Sequence, residues 1–151
     1  MRRLSRDHLH ITLAFLGGRP AGERSAIEQI VRETARESAV PTFHAHRYRE
    51  TARVGMVVLA EEPGPGDTHV WRANALAGRL MLRLEEIGAY RRERRGWLPH
   101  VTVARFRDRP QLSPVVPDLG TFSPSEVALY HSVLRPAGAQ YEILDAVALG
   151  G

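Results

Sequence analysis

Two short stretches, His10-Ile11-Thr12-Leu13 and His100-Val101-Thr102-Val103, share the pattern histidine, apolar residue, threonine, apolar residue. In a β-strand, residues i and i+2 lie on the same face, so each stretch presents an imidazole beside a hydroxyl. Ile11 and Val101 would then face the opposite, buried side. Histidine titrates near neutral pH, and a facing pair can act as general acid and general base. The repeat therefore predicts one active site made from both stretches.

Chance composition does not account for this repeat. With 7 histidines in 151 residues and equally many threonines, the full pattern is expected only about 0.06 times. The alternative interpretation is two strand histidines satisfied by neighbouring groups, and the second copy of the pattern weighs against it.

The composition is that of one globular domain. At 151 residues, with 43% hydrophobic and 25% charged residues, the chain is long enough to bury a core. It contains no apolar run long enough for a membrane span, and residues 1–6 are not followed by the apolar segment of a secretory signal. We therefore expect a cytoplasmic protein with no membrane partner.

Cysteine and lysine are both absent from the sequence. Without cysteine there are no disulfides, thiolate metal ligands or cysteine nucleophiles. All 21 Lys or Arg residues are arginine, which binds phosphate through two parallel hydrogen bonds. This favours a polyanionic substrate, while a compositional bias of the source genome explains the missing lysine equally well.

The first half of the chain predicts a strand, a helix and two more strands. Apolar alternation indicates a strand over residues 9–16, and helical spacing indicates a helix over residues 23–38. Residues 43–48 and 54–60 are typical of strands that form a hairpin, and residues 61–66 are a linker by composition. The predicted helix has an apolar stripe made of Ile27, Ile30, Val31 and Ala35.

The second half repeats this order. Asp67 is the candidate N-cap of a second helix that ends near Ile87, before Gly88. The second histidine motif begins a strand over residues 100–106, and residues 125–134 and 140–149 are predicted to close the fold as a hairpin. The apolar stripe of the second helix is Val70, Ala73, Ala77, Leu80, Leu84 and Ile87.

These elements predict an α+β domain of two pseudo-symmetric lobes. Each lobe would be a small, mainly antiparallel sheet with a helix on its outer face. The motif histidines would line the central cleft between the lobes.

Three segments resemble the 2H phosphoesterase superfamily, and within it the family of RNA 2′,3′-cyclic phosphodiesterases, also called 2′-5′ RNA ligases. They are His8-Leu9-His10-Ile11-Thr12-Leu13-Ala14-Phe15-Leu16-Gly17, Pro99-His100-Val101-Thr102-Val103-Ala104-Arg105, and the tail from Ser132 through Gly138-Ala139-Gln140-Tyr141. The resemblance covers nearly the whole chain, so we expect one bilobal 2H phosphoesterase domain over residues 1–151.

The resemblance implies an enzyme that needs neither metal nor cofactor. Its substrate would be an RNA with a 2′,3′-cyclic phosphate end, such as a tRNA fragment, and its product a 2′-phosphomonoester. It also implies a weak, ATP-independent 2′-5′ ligase reaction. By analogy with the family, His10 is the acid that protonates the 3′ oxygen and His100 the base that activates water, although the residues themselves do not distinguish these roles.

Threonine and arginine complete the candidate site. Thr12 and Thr102 would donate hydrogen bonds to the non-bridging phosphate oxygens, where charge grows in the transition state. The alternative for both is simple β-propensity. Arg105 follows the second motif as in the family and is a candidate phosphate contact. Strict alternation places Arg105 on the face opposite His100, so this role requires a bulge or a strand end.

One departure from the family concerns the N-terminus. Family members carry a first strand and helix ahead of the first motif, whereas nine residues precede His10 here. If that strand is missing, the sequence predicts an exposed sheet edge and self-association or reduced stability.

The remaining candidate residues support weaker hypotheses. His8 with His10, and His44 with His46, have a spacing that can bind zinc, but no cysteine or adjacent carboxylate accompanies them, so no metal site is predicted. Three further pairs of interpretations stay open. The basic cluster of residues 91–95 is either a solvated loop or a surface that steers RNA. Trp97 and Tyr141 either pack in the core or stack on a base. His69 and His131 are either surface positions or positions satisfied by neighbouring groups.

Two other functions fit the same motifs. The substrate could be a small cyclic nucleotide or an ADP-ribose cyclic phosphate. Alternatively, the chain could bind RNA ends without converting them, which predicts salt-sensitive binding and no product.

Overall fold

The computed structural model describes residues 1–64, 66 and 71–150. The helices and strands are β1 Arg2–Arg3, α1 Arg24–Glu37, β2 Thr42–Glu50, β3 Val54–Glu62, α2 Arg72–Glu86, β4 His100–Arg105, β5 Thr121–Phe122, β6 Glu126–Arg135 and β7 Gly138–Ala148. Short 3-10 helices cover Arg6–His8 and Ala21–Glu23.

The chain divides into two compact units, each made of three separate segments. The sheet unit comprises Met1–Leu13, Pro41–Trp71 and Arg95–Ser123. The helical unit comprises Ala14–Val40, Arg72–Arg94 and Pro124–Gly151.

The sheet unit contains one antiparallel five-stranded sheet in the order β1-β4-β3-β2-β5. Its central strand, β3, contains a continuous apolar run in which Met56, Val58 and Leu59 are buried. Such a run is typical of a strand that is covered on both faces. The hairpin of β2 and β3 is confirmed. It is longer than predicted, because the supposed linker residues Glu61 and Glu62 still pair with β2.

A buried carboxylate fixes the loop that follows β4. The side chain of Glu50 is only 2% exposed and accepts hydrogen bonds from the backbone N–H groups of Gln111 (3.0 Å) and Leu112 (2.9 Å). The Tyr48 hydroxyl (3.0 Å) and Arg109 Nε (3.2 Å) also donate to it. Burial raises the pKa of the Glu50 carboxyl, and these hydrogen bonds outweigh it, so that the pKa lies below its ordinary value.

The helical unit contains α1, α2 and the β6–β7 hairpin. Helix α1 packs against α2 and against both strands of the hairpin, and Arg32 binds Asp145 of β7 through two hydrogen bonds of 2.7 and 3.0 Å. The stripe residues that are buried are Ile27, Val31, Ala35, Ala73, Ala77, Leu80 and Leu84. Both helices and the closing hairpin are therefore confirmed, and within the described residues no helix is both long and apolar enough to cross a membrane.

Gly88 ends α2 as its position in the sequence predicts. It has a φ of +73°, and the N–H groups of Gly88 and Ala89 donate to the carbonyls of Glu85 and Leu84, both at 2.9 Å. These are the two bonds of a Schellman motif. The predicted N-cap Asp67, and the stripe residue Val70 with His69, lie outside the described residues.

Two expectations about the organisation are wrong. The predicted strand over residues 9–16 is reduced to a single bridge between Ile11 and Val101. Its alternation does not reflect a buried face, because Leu9 is 44% and Phe15 is 74% exposed. The predicted lobes with one helix each are also not observed, since both helices belong to the helical unit and both histidine motifs belong to the sheet unit.

Candidate active site

The two histidine motifs are neighbours in one sheet. Because Ile11 bridges Val101 in antiparallel orientation, His10 lies beside Thr102 and Thr12 beside His100. Residues directly opposite in such a pair share a face, and diagonal neighbours are about 7–8 Å apart. The four side chains therefore form a quartet with the histidines on one diagonal and the threonines on the other.

Both motif histidines are oriented by their own backbone. Nδ1 of His10 lies 2.8 Å from the carbonyl oxygen of His8, and Nδ1 of His100 lies 2.8 Å from the carbonyl oxygen of Leu98. A carbonyl only accepts hydrogen bonds, so in each ring Nδ1 carries the proton and donates it. In each histidine, Nε2 is therefore the nitrogen that can accept a proton from a substrate and give it back.

Trp97 holds the first motif against the segment that leads into β4. Its indole Nε1–H donates a 2.9 Å hydrogen bond to the carbonyl oxygen of Thr12. On the other side of that segment, the N–H of Leu59 donates a 2.9 Å bond to the carbonyl of Pro99. The partly buried indole therefore positions the first motif, and whether it also stacks on a base stays a prediction.

A register shift changes the face on which Arg105 lies. Thr102 pairs with Met56, whereas Ala104 pairs with the very next residue, Gly55, so Val103 is left out of the ladder. This extra residue reverses the alternation beyond it. Arg105 is opposite Val54 and therefore shares the face of His100 and Thr102, as the predicted role requires.

The His-x-His pairs are not arranged as the zinc hypothesis requires. His8 belongs to a 3-10 helix, where its Nδ1 lies 3.2 Å from Ser5 Oγ. His46 falls at the register shift of β2, and its ring meets that of His44 edge-on at 6.3 Å. Nδ1 of His44 instead lies 2.5 Å from Glu62 Oε1. Within residues 1–64, 66 and 71–150, no three potential ligands cluster as a metal site would need.

The other candidates have local partners outside the two motifs. In the basic cluster of residues 91–95, Arg92 pairs with Glu85 at 2.8 Å. Tyr141 meets Tyr130 edge-on at 6.1 Å in the helical unit. His131 is exposed there, 3.7 Å from Glu142. Two shallow depressions on the helical unit, both lined by Arg32 and Arg36, contain no motif residue.

Comparisons with known proteins identify the family of this chain. The sequence model of the 2′-5′ RNA ligase superfamily matches residues 2–134. The RNA 2′,3′-cyclic phosphodiesterase of Methanothermobacter thermautotrophicus is 28% identical over 154 residues, which cover 95% of this chain and 79% of that protein.

Solved structures confirm the fold class of two antiparallel sheets and two helices. TT0787 of Thermus thermophilus superposes with a TM-score of 0.80 at 25% identity, over 99% of this chain and 82% of that chain. E. coli LigT, crystallised with 3′-AMP, superposes with a TM-score of 0.72 at 24% identity, over the same shares of 99% and 82%. That residues 1–151 form a single domain stays a prediction.

Proposed function

Because this chain belongs to the 2′-5′ RNA ligase superfamily of 2H phosphoesterases, we propose that it opens RNA 2′,3′-cyclic phosphates to 2′-phosphomonoesters without a metal ion. The observation that carries the proposal is the quartet, in which both histidines are anchored through Nδ1. Two identical anchors leave two equivalent proton-exchanging nitrogens, one for each side of the reacting phosphorus.

The reaction needs one proton removed and one supplied. Water attacks phosphorus in line with the 3′ oxygen and gives its proton to Nε2 of the neutral histidine. The bond from phosphorus to the 3′ oxygen breaks, and the protonated histidine supplies the proton that this oxygen takes up. The product keeps its phosphate on the 2′ oxygen, and the histidines end with exchanged protonation states.

His10 is the acid and His100 the base in this proposal. The assignment follows the family resemblance, because the anchoring of the two rings is the same. When an RNA 5′-hydroxyl takes the place of water, the same steps form a 2′-5′ bond. This is the ligase reaction that the family implies.

Thr12, Thr102 and Arg105 stabilise the phosphorane-like transition state. The two hydroxyls donate to the non-bridging oxygens from the second diagonal of the quartet. The Arg105 guanidinium adds positive charge and two parallel donors on the same face. Neither contribution requires a metal.

The test is a product assay in chelator. An RNA oligonucleotide ending in a 2′,3′-cyclic phosphate is incubated with the wild type, with His10→Ala and with His100→Ala, and the position of the product phosphate is determined. We expect a 2′-monophosphate from the wild type alone.

Three other outcomes of this assay would favour a different function or mechanism. Salt-sensitive binding without turnover by a folded sample would identify an RNA-end-binding module. Turnover of only a small cyclic nucleotide or an ADP-ribose cyclic phosphate would change the substrate class. Activity that chelator abolishes would contradict the metal-free mechanism.

A further inference from the structure

Two rows of side chains cross the sheet on the face that carries the quartet. In the first row, Val58 of β3 lies opposite both His100 of β4 and Arg47 of β2. The second row has the same order across β4, β3 and β2: Thr102, Met56 and Arg49. Opposite residues share a face, so both arginines lie on the face of the proposed active site.

The separation between the arginines and the site suits a nucleic acid strand. Each arginine is two strands away from β4, or about 10 Å between backbones. Met56 and Val58 between them are buried, whereas an arginine side chain is long enough to extend past a buried neighbour. An RNA strand whose cyclic phosphate lies at His100 would therefore place the phosphates just upstream of that end against the guanidinium groups of Arg47 and Arg49.

Within the part of the chain that the structure describes, the guanidinium groups of Arg47 and Arg49 have no partner. Both are exposed, and among the described residues neither side chain forms an ion pair or hydrogen bond. By contrast, a carboxylate pairs with each of Arg19, Arg24, Arg32, Arg83, Arg92 and Arg109. Two unpaired guanidinium groups at positions i and i+2 of one strand form a positively charged patch that can bind a polyanion.

We infer that Arg47 and Arg49 form a second phosphate subsite, which binds phosphodiesters upstream of the cyclic end. The inference rests on the proposed function and specifies its substrate as an oligonucleotide rather than a mononucleotide. The subsite raises affinity for the RNA chain and takes no part in the chemistry.

The experiment compares two substrates that share the reacting group. One is cytidine 2′,3′-cyclic phosphate, and the other is an RNA trinucleotide that ends in the same group. The variant Arg47→Thr/Arg49→Thr removes both guanidinium groups with a residue that suits strands. The variant Arg36→Ala/Arg135→Thr removes the same charge from two exposed positions of the helical unit.

We expect KM for the trinucleotide to rise about tenfold or more in the first variant, with kcat/KM for the mononucleotide unchanged. Each phosphate contact on a single strand contributes about 0.7 to the slope of log affinity against log salt, so the slope for the trinucleotide should fall by about 1.4. Equal losses on both substrates, no loss on the trinucleotide, or the same loss in the control variant would overturn the subsite.

A binding measurement separates this inference from the proposed function. If the wild type converts neither substrate, the proposed function fails, and the subsite is then judged by fluorescence anisotropy with a trinucleotide that ends in a 2′-phosphate. Weaker binding by the variant alone supports the subsite, and equal binding overturns it. If the melting temperature of the Arg47→Thr/Arg49→Thr variant falls, the Arg47→Gln/Arg49→Gln variant is used in its place.

Discussion

A peptide carbonyl, rather than a carboxylate, orients each motif histidine. It fixes the tautomer without adding a charge, and it leaves proton exchange to Nε2. An asparagine amide at the same position can donate to the same carbonyl but has no titratable nitrogen. Replacing a motif histidine by asparagine therefore separates the orientation of the side chain from its proton transfer.

The variant His100→Asn should keep the fold and lose the activity. Its amide replaces the Nδ1 bond to Leu98, while the missing Nε2 removes general base catalysis, so kcat should fall by about 100-fold or more. Steady-state kinetics and a thermal melt measure the two effects. The control is His131→Asn, at a position 57% exposed in the helical unit. Near-normal turnover by His100→Asn would show that Nε2 is not the working atom.

Glu50→Gln should change how stability depends on pH. The folded state lowers the pKa of Glu50 below its ordinary value of 4.5, so its stabilising effect is present above that value. The effect is lost as the pH falls through the lowered pKa. We expect the variant to melt at a lower temperature at neutral pH, with a shallower decline towards acid. Melting curves across this range, with the exposed Glu86→Gln as control, test this; parallel profiles for wild type and Glu50→Gln would contradict it.

At the scale of elements, hydrophobic periodicity correctly predicted those helices and strands whose pattern lies within one continuous stretch of sequence. Helix α1, helix α2 and the β6–β7 hairpin are confirmed because their stripes and turn residues lie within one continuous stretch. The residues around Ile11 also alternate, but their neighbours in the sheet come from distant parts of the chain, so alternation alone overstated the strand. The sequence pattern likewise could not place Arg47 or Arg105, because their faces depend on register shifts opposite Val58 and Gly55.

Trp97→Phe tests the contact that ties the first motif to the start of β4. Phenylalanine keeps the ring but cannot donate to the Thr12 carbonyl. Small misplacements of reacting groups are costly, so kcat should drop roughly tenfold while KM stays near its original value. Trp71→Phe, at an exposed indole, is the matched control. An unchanged kcat in Trp97→Phe would mean that the single bridge at Ile11 positions the motif by itself.

One glycine within α2 and one just after its end should respond oppositely to alanine. Gly78 lies within the helix with open space around it, so Gly78→Ala should stabilise the protein by about 0.5–1 kcal/mol through helix propensity. Gly88 has a φ of +73°, so Gly88→Ala should destabilise it by about 1–2 kcal/mol. Chemical denaturation gives both values, and shifts of the same sign would refute the account of the helix end.

At the scale of the whole molecule, neither unit is made of one continuous stretch. Each unit needs three segments that the other unit separates in the sequence, so we expect the two to unfold together. Both tryptophans belong to the sheet unit and both helices to the helical unit. Tryptophan fluorescence and far-ultraviolet circular dichroism therefore report on different units, and two separated thermal transitions would disprove the coupling.

The backbone anchors have an evolutionary consequence. His8 and Leu98 contribute only their main-chain oxygens to the anchors, and every amino acid has that oxygen. Their side chains can drift without disturbing the tautomer, unlike the carboxylate of a catalytic triad, which one substitution removes. Each motif thus carries its own orienting device in its main chain and needs no additional side chain to keep its histidine in place.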